Sequence, residues 1–318
     1  MNTCYAHSAA DLLRYQELKM GKPDSQINPS WIAFVHKYNA PFYHWDKDSL
    51  DFSVLSWSLK SLRDEGVCNN AAFSKALADL KNGNDLTDTE ILGFYEQLWD
   101  AYRALDGDDE KAFEAAYSTV TSSEDFVGKI KYPLINSFKF IVQIDTNSKL
   151  EALNRHISKY CNDSSIYKYN VPEYGGSFLN SASNDSIHEV IDGIIESDRM
   201  VGVGYCFKLF MNGPRYRALG SNLRLFKMIL NDDKCWAHYS SVVGRRKSLK
   251  TDSCEYLVRN TMGTEFWTDH FECFCEEKST GLKRDCRSSE KNPDLKVLGC
   301  WVDADDLAAN IFDYTYFK

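Results

Sequence analysis

A chain of 318 residues that is 43% hydrophobic, 14% aromatic and 26% charged can bury a full core, so neither metal nor disulfides are needed merely to fold it. Its 46 acidic against 37 basic residues leave a formal charge of −9, which argues against a nucleic-acid partner. No run reaches the roughly 20 apolar residues of a membrane-spanning helix, so no membrane partner is expected either.

In chain order, residues 4–20 (CYAHSAADLLRYQELKM) are predicted as a helix. Ala6, Ala9, Ala10, Leu13 and Leu18 make an apolar stripe, and Gly21 followed by Pro23 closes it. A second helix is expected over 53–65, with Leu55, Leu59 and Leu62 at helical spacing and Gly66 as its stop. From 71 to 165 the pattern stays helical and charged. Thr87 to Glu90 fits a capping box, and Ile91, Tyr95, Leu98, Tyr102 and Leu105 follow on one face. Asp108 and Ser148 read as further N-caps, and the acidic run 106–110 as a solvated loop without calcium-loop spacing.

Beyond residue 166 the character changes. Met200–Met211 alternates Val201, Val203, Tyr205, Phe207 and Leu209, a strand signature, and shorter strands are predicted at 238–245, 255–260 and 296–302. Helices therefore precede strands without βαβ alternation, and the fold class is α+β. No internal repeat or low-complexity tract interrupts it.

Ten cysteines, four of them between 273 and 300, point to an oxidising compartment, extracellular or periplasmic. No signal peptide follows Met1, so that location implies a longer precursor; otherwise the protein is cytoplasmic. His270, Cys273, Cys275, Cys286 and Cys300 can be drawn as a zinc site, as local disulfides or as structural thiols. The C-x-C spacing departs from a zinc knuckle, and no metal or other cofactor is expected. The histidines at 36, 44, 156, 188 and 270 show no pairing with a cysteine or carboxylate, and His7 is expected to pack rather than react.

Cys4 stands at the start of the first predicted helix, where unpaired N–H groups and the helix dipole favour thiolate over thiol. Its flanks, Thr3-Cys4-Tyr5-Ala6-His7-Ser8-Ala9, resemble the active-site helix of the papain-like cysteine peptidases. His238-Tyr239-Ser240-Ser241-Val242-Val243-Gly244 is similar to that family's histidine strand, and Glu255–Thr264 to its asparagine strand, with Phe266-Trp267 following. The order Cys, His, Asn is the family's order. Segments 57–68 and 199–205 resemble its second helix and the strand before the histidine.

The resemblance implies a two-lobe fold: a helical lobe carrying the nucleophile (1–70) and an antiparallel β-barrel-like lobe carrying His and Asn (166–318). Cys4 and His238 lie 234 positions apart, against roughly 130–150 expected. The excess matches 71–165, read as an inserted helical subdomain. Catalytic residues would be Cys4 as nucleophile, His238 as general acid/base and Asn260 orienting the imidazole, acting on a protein or peptide substrate. The family's oxyanion glutamine would fall upstream of Met1, and Met262 stands where the family has a tryptophan. The competing reading is an inactive papain-like binding or scaffold module, in which Cys4 is a small core residue, His238 a core histidine and Asn260 a turn residue. An acyltransferase on the same fold is a third.

Overall fold

The computed structural model describes residues 3–22, 27–38, 53–105, 110–134, 149–162, 164–167, 171–179, 182–219, 224, 227–228, 235–248, 252–259, 270–286 and 294–318. Its helices are α1 (Cys4–Lys19), α2 (Pro29–Tyr38), α3 (Leu55–Glu65), α4 (Asn70–Lys81), α5 (Asp88–Ala104), α6 (Glu110–Thr121), α7 (Lys149–Ile157), α8 (Asn184–Glu196), α9 (Lys208–Asn212) and α10 (Ala304–Ala308). Its strands are β1 (Val67–Cys68), β2 (Ile166–Tyr167), β3 (Tyr174–Phe178), β4 (Val201–Cys206), β5 (Ala237–Lys247), β6 (Cys254–Arg259), β7 (Glu272–Glu277), β8 (Lys283–Cys286), β9 (Leu295–Asp303) and β10 (Ile311–Phe317). No helix among the described residues is long and apolar enough to cross a membrane.

The contacts divide the chain into two units. One comprises residues 1–3, 26–51 and 60–170; the other comprises 4–25, 52–59 and 171–318. They interleave the stretches 1–70, 71–165 and 166–318 expected from sequence: α1 groups with the sheet, whereas α2 groups with the later helices.

The first unit is helical. The expected capping box starts α5: Thr87 accepts from the Glu90 N–H, and the Glu90 carboxylate accepts from the Thr87 N–H at 2.8 Å. Lys129, bonded to Glu90, is the main reason that carboxyl titrates near 2; the Thr87 backbone bond is the next. Ile91, Tyr95, Leu98 and Tyr102 are buried as predicted, but Leu105 is half exposed because it caps the helix C-terminus instead of continuing its face. The caps expected at Asp108 and Ser148 lie outside the described residues. Aromatic edges join the core, Trp31 on Phe73 and Phe94 on Phe126. β1 and β2 form an antiparallel ribbon, and beside it Cys68 is bonded to Cys161 across a separation of 93 residues. Closing so long a loop is worth about 4–5 kcal/mol in the chain-entropy account. A Cys68→Ser/Cys161→Ser variant is therefore expected to lose several kcal/mol in this unit, read by urea denaturation with α-helical circular dichroism. An unchanged midpoint would remove the disulfide from the unit's stability.

The second unit is built on an eight-stranded sheet in the order β3-β10-β4-β5-β6-β9-β7-β8, every pairing antiparallel. Among the described residues this is an open sheet with β3 and β8 at its edges, where a barrel-like lobe was expected. Successive strand residues face opposite ways. Val201, Val203 and Tyr205 of β4 therefore enter one core with Ile187, Ile191 and Ile194 of α8, while Gly202 and Gly204 leave the other face bare. There α1 and the start of α3 pack: a Cβ on Gly202 would meet the side chains of Leu55 and Leu12. Helix α1 ends as expected at Gly21 (φ 66°), but Leu18 is 60% exposed and lies off its buried stripe. The strand expected through Met211 stops at Cys206, because the chain turns at Phe207 into α9, anchored by the Cys206–Cys235 disulfide.

Candidate active site

Cys4 is the first residue of α1. The helix presents Tyr5, Ala6, Ala9, Ala10, Leu12 and Leu13 inward, all essentially inaccessible, and its alanines let the axis approach the glycine-bearing face of β4. This seating carries Cys4 onto β5. The residue is 4% exposed, and its Sγ accepts a hydrogen bond from the Tyr239 backbone N–H at 3.3 Å. That nitrogen is bonded to the carbonyl carbon of His238, so the sulfur lies against the peptide joining the two residues. Farther along the helix, Asp11 pairs with Arg259 at 3.2 Å and fixes α1 to the end of β6. Burial raises the Asp11 pKa, with Arg259 and Arg14 opposing it.

His238 lies opposite Tyr205 across β4 and β5. Its ring stands edge-on to Tyr205 with centroids 5.7 Å apart and lies 5.0 Å from Phe207, leaving the residue 3% exposed. Burial, reinforced by the nearby His7, pushes its pKa down to about 3. His7 is itself lowered by burial and then by Arg14 and Arg259. At neutral pH the His238 imidazole is therefore uncharged, a proton acceptor rather than a standing counter-ion. A charge on Cys4 is felt by both flanking phenols, Tyr205 and Tyr239, whose pKa values rise chiefly through burial.

Two residues that the sequence did not single out complete the cluster. Asp313 on β10 and Tyr239 on β5 both pair with Gly204 of β4, so the three share one face across three strands. With no side chain on Gly204, the Tyr239 phenol crosses the middle strand and donates to Asp313 Oδ2 at 3.1 Å. A Cβ on Gly204 would sit 2.8 Å from Tyr239 Cε1 and 2.6 Å from Phe312 Cε2, so the gap is needed. Burial raises Asp313 to about 7, against the opposing bonds from Tyr239 and the Tyr314 N–H. The only sequence signal was the small-residue alternation Gly202, Gly204 within a strand.

Asn260, with Met262, Phe266 and Trp267, lies outside the described residues; β6 is described as far as Arg259, which pairs with Ser241. The cysteines drawn as a zinc site are instead joined as Cys273–Cys300 and Cys275–Cys286, and His270 Nε2 bonds the Met211 carbonyl at 3.0 Å. Among the described residues no cluster of histidine, cysteine and carboxylate side chains could hold a metal. Cys4 and Cys254 are the two cysteines outside the four disulfides. Two histidines depart from expectation: His188 Nε2 meets Asp305 Oδ1 at 2.9 Å on the surface, and His156 Nε2 lies 3.8 Å from Asp79 Oδ2.

What the structure brings together is thus a helix-start thiol, the backbone amide that follows a buried neutral histidine, and the tyrosine–carboxylate pair to which that amide's residue belongs. A scan against protein-family models and a search of curated proteins return no match to the chain.

Proposed function

We propose that the protein is a papain-like cysteine peptidase, with Cys4 as nucleophile, His238 as general acid/base and Asn260 orienting the imidazole. The observation that carries the reading is the Cys4 sulfur bonded to the amide that follows His238, although the two residues stand 234 positions apart in sequence. The α+β architecture and four disulfides agree with it and with an extracellular or periplasmic location.

In this reading the Cys4 thiol attacks a peptide carbonyl as its proton passes to His238, and the S–C bond forms. The imidazolium then gives that proton to the amine as the C–N bond breaks. Water, deprotonated by His238, cleaves the thioester to a carboxylic acid and restores the thiol. In the same reading the N–H groups at the start of α1 stabilise the oxyanion. A base with a pKa near 3 is weak, so proton transfer accompanies attack: the charge growing on sulfur raises the affinity of the imidazole for the proton.

The deep burial of both Cys4 and His238 favours a second reading, an inactive papain-like module that binds a partner. A thiol-directed epoxide inhibitor of the E-64 type separates the two. The peptidase reading expects one covalent adduct on the Cys4 peptide by mass spectrometry and none in Cys4→Ala; a folded wild type that stays unlabelled favours the binding module.

A further inference from the structure

We propose that Tyr239 and Asp313 are positioning residues for Cys4: the Asp313 carboxylate, through the Tyr239 hydroxyl, holds the strand segment whose amide hydrogen bond stabilises the Cys4 thiolate. The inference rests on reading Cys4 as the reactive thiol.

Three observations carry it. The Tyr239 N–H bonds the sulfur at 3.3 Å while the same residue's hydroxyl bonds Asp313 at 3.1 Å, so one residue links the thiol to the carboxylate. Both Tyr239 and Asp313 are buried, at 0% and 3% exposure, and Asp313 has its charge far from water. The cross-strand alignment of Tyr239, Gly204 and Asp313 leaves the phenol a corridor that any side chain at 204 would close. A buried carboxyl unconnected to a site is a cost without a return, because desolvation opposes its charged form. Here it meets the side chain of a residue whose backbone N–H bonds the nucleophile. An amide hydrogen bond to sulfur favours the charged thiolate, so the precision with which residue 239 is held sets part of the thiol's acidity.

The ionisable groups in or next to this cluster are Cys4 and His7 from α1, Tyr239 and the adjoining His238 from β5, Tyr205 from β4, and Asp313 and the adjoining Tyr314 from β10, with Arg14 and Arg259 acting on His7.

The test is the pH profile of Cys4 alkylation by iodoacetamide in a Cys254→Ser background, which leaves Cys4 as the thiol outside the disulfides. Tyr239→Phe keeps the ring in the corridor and removes only the hydroxyl; Asp313→Ala removes the acceptor; Asp313→Asn keeps one. Tyr239→Phe and Asp313→Ala are expected to raise the midpoint of the profile by about 0.5–1 unit each, with the double variant no further than either single, because the pair acts as one link. Asp313→Asn is expected to hold the wild-type midpoint. An unmoved midpoint in folded Tyr239→Phe overturns the inference, as does Asp313→Asn shifting as far as Asp313→Ala. A wild type that takes the epoxide while its variants keep their midpoints overturns the positioning role alone. A Cys4 that iodoacetamide never reaches in the native protein overturns both readings.

Discussion

Cys4→Ala is expected to bring peptide hydrolysis down to background, a loss on the order of 10⁴-fold or more. The size follows from the role: without sulfur no thioester forms, and the donors at the start of α1 are left with only the slow attack of water to assist. Folding should be nearly unaffected. Alanine already occupies positions 6, 9 and 10 of the same buried helix face, and the substitution removes one sulfur atom together with the hydrogen bond it accepts from the Tyr239 N–H. The measurement is turnover of a fluorogenic peptide library by wild type and variant, with thermal unfolding as the control. Equal turnover by both, at equal unfolding temperature, would remove Cys4 from the chemistry.

The second large effect concerns stability against pH, and it is a cancellation. His238 has a folded pKa near 3 against an unfolded value near 6.5, so below 6.5 the unfolded chain binds a proton that the native protein refuses. Its contribution to stability is complete above pH 6.5 and is lost as pH falls toward 3, by about 1.4 kcal/mol per unit. Asp313 runs the other way. Its carboxyl, near 7 when folded and near 3.8 when unfolded, keeps a proton in the native state that the unfolded chain has released, so its contribution is lost as pH rises from 3.8 to 7. Between roughly pH 4 and 6.5 the two slopes oppose each other, and the wild type should be nearly flat with respect to these groups. His238→Gln is expected to unmask a stability that falls with rising pH across this window, and Asp313→Asn one that falls with acid, each by about 1–1.4 kcal/mol per unit. Urea midpoints at pH 4, 5 and 6 read this directly. A His238→Gln profile parallel to the wild type would mean that the imidazole is not held neutral by its burial.

Much of the local structure was legible because it is dictated locally. The Thr87–Glu90 box, the stop at Gly21 and the strands around 238–245, 255–260 and 296–302 rest on residues within a few positions of one another. The strand predicted through Met211 failed for a non-local reason. Phe207 and Phe210 also stand three positions apart, the spacing of one helix face, and their rings stack; the cysteine that bonds Cys206 lies 29 residues on. The grouping of α1 with the sheet was hidden in the same way: an alanine-rich helix fits many neighbours, and only the bare Gly202 and Gly204 select this one. Cys4 and His238 could be picked out by their flanks. The Tyr239–Asp313 link could not, because it spans 74 residues and depends on β10 inserting between β3 and β4.

The distance between Cys4 and its seat also sets a schedule. At synthesis rates of about 5–20 residues per second, the strand residue whose N–H bonds the Cys4 sulfur follows it by 235 residues, roughly 10–50 s later. A co-translationally oxidised chain therefore carries Cys4 as an exposed thiol while most of its other cysteines are being made. Every early disulfide is open to exchange with it, through attack of its thiolate on the bonded sulfurs. Docking of α1 on β4, β5 and β10 ends that exposure, so completion of the sheet is also the step that takes this thiol out of the exchanging pool. Refolding from the reduced, denatured state should accordingly yield mixed disulfides through Cys4 whenever oxidation outruns assembly of the sheet.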